Sequence, residues 1–482
     1  MPRFNFVNTD FLIAHPRVSL ALQGLALILL TLVLIPLVSG GFGILFLGAL
    51  FAALCTVFIM RKPHWGVLII MTLMFVGVDA LWGSTYLVSA ALMVPFAWSI
   101  IRDRGCWVLR VPQIQILLII GFLLVVSTFW SEVKYPVTLF PEKDQTIKQT
   151  REFITQLGWL VFFLYFINTE RLIELTAKLT IVLVAAAALN GLFIFVASGG
   201  ADRAAAAFSL AKNSNRLAYI SLFATSLVWF YQRYGTIHIW KVFTLPLLFC
   251  LPLTALTAGS RSGLLQILVL GGFIFLDQKG WSPAKRFFCV VAMALVGVLG
   301  LAFVPSAYLE RVTTFDPEVD APGQESLQNR LLVITSALSM VASDPLFGAG
   351  FGNFPWVARV FYNSAGATHN SYLWATTSGG LGVLALYLLL FYVTFRMLRQ
   401  LEKEGPRELL WLSKALRVNL ITFLIFSGFA DFWLSDFFYL IMGLTVAMTY
   451  VWRRRGENLT VTRPTAELGR HMKSLTLTAS ER

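Results

Sequence analysis

His369 lies in the segment THNSYL (368–373), between a Gly-rich loop, GAGFGNF (348–354), and a long apolar run. An imidazole titrates near neutral pH, so it can take a proton from a hydroxyl and return it. Four arginines accompany it in order along the chain. Arg203 and Arg216 lie in DRAAAAFSLAKNSNRLAYI, Arg261 in GSRSG, and Arg330 opens NRLLVITSALSMVASDP. A guanidinium is always charged and presents a fork of donors, so each of these side chains calls for an anion.

These residues stand out because the rest of the chain is so apolar. Of 482 residues 57% are hydrophobic and 13% charged. Apolar runs long enough to cross a bilayer recur from one end to the other. Hydrocarbon offers no partner to a backbone N–H or C=O, so each run must form a helix, and the period-2 alternation of a membrane barrel is absent. The expected architecture is all-α: a polytopic membrane bundle of about 12–14 helices. Candidate spans are 18–38, 44–60, 66–82, 84–101, 113–130, 154–168, 179–197, 216–231, 242–258, 263–276, 287–304, 373–395, 416–430 and 437–452. Residues 1–452 form one membrane domain containing a large outer loop, 305–372, and the polar tail 453–482 is expected to be disordered.

Charge gives the orientation. With the N-terminus inside, the inner connections (RKPH, IRDRGCWVLR, DQKGWSPAKR and the long segment after 395) are all net positive, while on the outer side fall SGGFG, VDALWGS, the balanced loop 131–153 and the loop 305–372 with its acidic DPEVDAPGQE. The formal net charge of +13 is accounted for by this inner-face bias towards anionic lipid, with no nucleic-acid partner required. His15, His64, His238 and His471 then face the cytoplasm, leaving His369 on the outer side.

Each candidate has a structural reading beside the functional one. A histidine at a helix end can serve packing alone. Arg261 can snorkel or pair with a carboxylate such as Asp79, and Arg330 can lie on a solvated helix face. Asp431 and Asp436 in ADFWLSD suit helix capping better than a metal site. The glycines of 348–354 match neither GxGxxG nor GxxxxGK[ST] and follow no strand, so turns and close packing explain them. The four cysteines sit in or beside apolar runs without metal or disulfide spacing.

The ordered set GSRSG, FSLAKNSNRLA, the arginine helix leading into DPLFGAGFGNF, HNSYL and SGGLG resembles the O-antigen ligase and polymerase superfamily. That superfamily comprises bacterial integral membrane glycosyltransferases of the WaaL-ligase and Wzy-polymerase types. The resemblance covers roughly residues 200–400 and departs at Ser378, where many relatives carry an acid nine positions after the histidine. It implies transfer of a glycan from an undecaprenyl-diphosphate donor to an acceptor hydroxyl, on the periplasmic face of the inner membrane, without cofactor or metal. The acceptor would be a lipid A core for a ligase, or for a polymerase a single lipid-linked repeat onto which the growing glycan is moved. In that reading His369 is the base, and Arg261, Arg330, Arg216 and Arg203 hold the diphosphate. Asn370, Tyr372 and Asn215 contact glycan or acceptor. A transporter or lipid-linked oligosaccharide flippase is the alternative from another class, although no internal repeat or midspan charge supports it.

Overall fold

The computed structural model describes residues 56–76, 82–102, 107–135, 144–198, 213–277, 282–287, 291, 324–362, 366, 368–432 and 435–455. The span expected at 18–38, most of those at 44–60 and 287–304, Arg203, Asp79 and the tail beyond 455 lie outside them. Two compact units divide the chain at Cys106. In the first, α1 (Pro63–Val76) packs on α2 (Trp82–Arg102), and a Cβ at Gly66 would lie 2.8 Å from Leu92, so glycine lets the two helices meet.

The second unit carries the candidate chemistry. Its helices are α3 (Pro112–Lys134), α4 (Asp144–Phe166), α5 (Glu170–Ala197), α6 (Ser214–Tyr234), α7 (His238–Thr244), α8 (Leu247–Thr257), α9 (Arg261–Asp277), α10 (Gln324–Ser343), α11 (Phe354–Tyr362), α12 (Ser371–Glu404), α13 (Leu410–Phe426) and α14 (436–455). No strand occurs among the described residues, and the fold is an all-α polytopic bundle. Among those residues five segments are long and apolar enough to cross a membrane: α3, α5, α7 with α8, α12, and α13 with the short turn before it.

α6 is the centre of the unit. Residues 217–228 are buried on every side, between α5, α8, α9 and α13. A helix this enclosed needs no amphipathic stripe, and its small polar residues bond to their own backbone: Thr225 Oγ1 donates to Ser221 O (2.8 Å) and Ser226 Oγ to Phe223 O (2.9 Å).

Two expected spans are interrupted. The run 242–258 is two helices, because Pro246 supplies no N–H and α7 ends where Leu245 N reaches Lys241 O (2.9 Å). The second break falls inside α12, at Gly379 and Gly380, where φ and ψ leave the helical region. A broken helix exposes carbonyls on one side and N–H groups on the other, and both must find partners. The segment 345–349 provides them. Ala349 N donates to Thr377 O (2.7 Å), and Leu381 N donates to Pro345 O (2.8 Å). Ser127 Oγ of α3 bonds both Ser378 O (2.8 Å) and Phe347 O (2.5 Å). The loop glycines 348, 350 and 352 have φ of 65°, 87° and 77°, and a Cβ at Gly348 would lie 2.5 Å from Thr377 O. These are turn and close-approach glycines, as the sequence indicates.

Candidate functional site

α12 starts with a cap that also sets the position of His369. Asn370 Oδ1 accepts from Tyr372 N (3.0 Å) and Leu373 N (3.1 Å), two of the donors that a helix N-terminus leaves unpaired. Its Nδ2 donates to Gly428 O (3.1 Å). Ser371 continues the seam: its N donates to Ser427 O (2.7 Å), and its Oγ donates to Ala430 O (2.6 Å) while accepting from Phe432 N (2.8 Å). The first turn of α12 is thereby sewn to the connection between α13 and α14.

That seam brings Asp431 beside His369. Asp431 Oδ1 accepts from Thr368 Oγ1 (2.9 Å) and Asn370 N (3.1 Å), so its second oxygen is left to face the imidazole. His369 Nδ1 stands 3.4 Å from Asp431 Oδ2, with the histidine side chain 49% exposed and the carboxylate 21% exposed. The distance is long for a hydrogen bond, as is common in sites without substrate. Burial pushes the Asp431 carboxyl above its ordinary range, and His369, Thr368 and the backbone N–H groups pull the other way. His369 itself has φ of 48°, the sole positive φ at a non-glycine among the described residues. A left-handed residue with a Cβ costs about 1–2 kcal/mol. The contacts of Thr368 and Asn370 on either side hold it there.

Arg216 reaches the same connection from α6. Its guanidinium lies 5.3 Å from the centroid of the Phe432 ring, one residue from Asp431. Its charge also acts on Asp436, whose Oδ1 accepts from Gln156 Nε2 of α4 (2.9 Å). Below it Tyr219 stacks on Phe426 (5.2 Å), and Phe432 stacks on Phe426 (5.0 Å), giving this end of the bundle an aromatic floor.

The GSRSG turn arrives at the same end of α6. Gly259 has φ of 66°, Ser260 Oγ accepts from Gly263 N (3.2 Å) to cap α9, and a Cβ at Gly263 would lie 3.0 Å from the Cβ of Ala218. Arg261 is the first residue of α9, so the chain delivers it next to the helix start that carries Arg216; its side chain lies outside the described residues. Arg330 is half-buried on α10, one turn before Val333, and Val333 lies against Gly366 (3.7 Å from an added Cβ) and packs in a cluster with Leu373. Asn215 N donates within its own turn, to Asn213 Oδ1 (2.8 Å). Tyr372 directs its hydroxyl to Leu424 O. Ser378 is buried in the turn before the break in α12.

The structure therefore joins His369 and Arg216 through the α13–α14 connection and sets the Arg261 turn against α6, near Arg216. It adds Asp431, which sequence spacing treats only as a capping carboxylate. With both ends of its amide engaged, Asn370 acts as a cap. Asn370→Ala is expected to lower stability by about 1–2 kcal/mol, visible as a lower melting temperature, whereas Asn370→Asp keeps the accepting oxygen of the cap but loses the donor to Gly428 O, and so restores only part of the stability. Loss of activity at unchanged melting temperature in Asn370→Ala would show the amide to be a substrate contact.

Residues 245–388 match the model of a family described as O-antigen ligase, Wzy_C. No curated protein matches the chain. The matched segment contains the GSRSG turn, Arg330, the 348–354 loop, HNSYL and the first half of α12 with its kink, less than a third of the sequence, and is consistent with the resemblance drawn from the motifs. Arg216 and Asp431 fall outside it.

Proposed function

We propose that the protein is a membrane glycosyltransferase that moves a glycan from an undecaprenyl-diphosphate carrier to an acceptor hydroxyl, with ligase activity onto a lipid A core as the first choice. The reaction takes place at the periplasmic face of the bacterial inner membrane. The reading is carried by a half-exposed imidazole whose Nδ1 faces a carboxylate fixed by two other donors. Such a carboxylate keeps the proton on Nδ1 and leaves Nε2 free to accept one from the substrate.

In this mechanism the acceptor hydroxyl loses its proton to His369 Nε2 as its oxygen attacks the anomeric carbon. The bond from that carbon to the diphosphate oxygen breaks on the opposite face, so configuration inverts in a single displacement. Charge grows on the departing diphosphate and is met by Arg216, Arg261 and Arg330, with Arg203 as a further candidate. Fixed guanidinium groups stabilise such charge without reorganising during the reaction. Asp431 balances the imidazolium until its proton is released.

The test is the glycan left on the lipid carrier in cells bearing His369→Ala. Long chains stranded on the carrier identify a ligase, and single repeats identify a polymerase. A normal carrier pool with normal surface glycan overturns the enzymatic reading. General-base loss is worth about 10²–10⁴ in rate, so turnover by the variant should be negligible on the time scale of growth.

A further inference from the structure

We propose that the end of α6 remote from His369 holds a second site, which binds the headgroup of an anionic phospholipid. A cavity of about 490 Å³ opens there between α6, α9 and α13. Arg233, Lys414 and Arg417 line it, against one carboxylate, Asp277. Asp277 is already engaged: Arg233 Nη1 lies 3.1 Å from Oδ2, Lys414 Nζ donates to Oδ1 (2.9 Å), and Tyr234 Oη also donates to Oδ1 (3.0 Å). Glu402 accepts from Arg417 Nε (2.5 Å) and is not part of the cavity wall. With Glu402 paired to Arg417, three cations meet two carboxylates, a net excess of one positive charge, in a recess whose remaining sides, Phe230, Phe273, Leu276 and Val418, are apolar.

An apolar track leads away from this recess. Leu268, Phe275 and Leu276 are 73%, 49% and 60% exposed and share one face of α9 with Gly272, where an added Cβ would have nothing within 4 Å. A stripe of exposed large side chains with a notch at its middle suits an acyl chain, and a cationic recess at its end suits a phosphodiester. A soluble anion would use only the recess. A zwitterionic lipid would bring its own cation into a wall that already has a surplus of them, so the occupant is a lipid with net negative charge. α6 has 21 residues and is about 30 Å long, one hydrocarbon thickness. The headgroup therefore belongs to the leaflet opposite His369. There it would fasten the central helix at one end while the other end carries Arg216.

The experiment titrates full-length protein in detergent with phosphatidylglycerol and, separately, phosphatidylcholine, reading Kd from a fluorescent acyl tail. Phosphatidylglycerol should bind about tenfold more tightly. Arg417→Gln should abolish that preference, and Gly272→Leu, which fills the notch at constant charge, should weaken both lipids. Arg399→Gln, an exposed cation on α12, should change neither. Inorganic phosphate at millimolar concentration should not displace the lipid. Equal affinity for the two lipids, an unaffected Arg417→Gln, or displacement by phosphate alone would each overturn the proposal. If Lys414→Gln fails to fold because Asp277 loses a partner, Arg417→Gln and Gly272→Leu decide the question. None of these readouts depends on glycan transfer.

Discussion

Asp431→Asn is expected to lower glycan transfer by about a thousandfold while the protein keeps its fold. The asparagine carbonyl can still accept from Thr368 Oγ1 and Asn370 N, the two contacts that join Asp431 to the start of α12. Its amide, however, now points N–H towards His369 Nδ1 where a carboxylate oxygen stood. Nδ1 must then accept, the proton moves to Nε2, and the nitrogen facing the acceptor hydroxyl is a donor in place of a base. The imidazolium formed during transfer also loses its counter-charge. The effect should fall on kcat, with KM little changed, because no substrate contact is removed. Asp431→Ala would differ by removing the carboxylate from Thr368 Oγ1 and Asn370 N, which keep only the contacts that they make with each other's residue (3.0 and 3.4 Å), at a cost of about 1–3 kcal/mol of stability. Full activity in a stable Asp431→Asn protein would remove Asp431 from the chemistry and leave the role of His369 to its own substitution.

The α13–α14 connection explains how residues so far apart in sequence come to share one place. It binds the α12 cap through Ser371 and Asn370, supplies Asp431 to His369, and presents Phe432 to Arg216. α6 contributes its first turn to this assembly, and its last turn forms the cationic recess. A rigid, fully enclosed helix between the two means that the arginine is held by the whole core and not by a loop.

Much of this was legible in the sequence. Apolar runs locate helices because the backbone has to be satisfied internally, and they place α3, α6 and α9 close to where they lie, whereas α5 begins at Glu170, ahead of the expected 179. The Gly-loop turns follow from local rules, since glycines in a tight loop act on their nearest neighbours, whereas Asn370, expected to contact glycan or acceptor, is placed by the structure as the cap of α12. The order of the arginine and histidine motifs was enough to show the resemblance that the 245–388 match supports. The partnership of Asp431 with His369 was not legible, because the two residues are joined by the packing of α12 against the α13–α14 connection, and a capping carboxylate looks the same in sequence. Nor was the break in α12, because a helix rich in glycine can remain straight. What breaks it is the loop 345–349, whose N–H and C=O groups replace the helical partners.

That break makes Gly380 the position where substitution should cost most. At φ 75° and ψ −174° it occupies a region open essentially to glycine alone. A Cβ added there would lie 2.0 Å from Leu346 O and 2.3 Å from Leu346 C, both backbone atoms that no side-chain rotation can move. Gly380→Ala must therefore push the loop off the helix, lengthening the Leu381 N to Pro345 O bond (2.8 Å) and with it the Ala349 N to Thr377 O bond (2.7 Å). Strain and lost bonds together amount to roughly 4 kcal/mol, enough to shift thermal unfolding of the detergent-solubilised protein by many degrees. Gly382→Ala, two residues on, is the control. Its Cβ would meet only Leu123 Cδ1 at 3.7 Å, and replacing a helical glycine by alanine is expected to gain about 0.5–1 kcal/mol. Opposite signs at two neighbouring glycines would show that the loop, and not the glycine content of the helix, enforces the kink. If both substitutions are tolerated alike, the kink is a soft bend, and the loop glycines serve some purpose other than closing it.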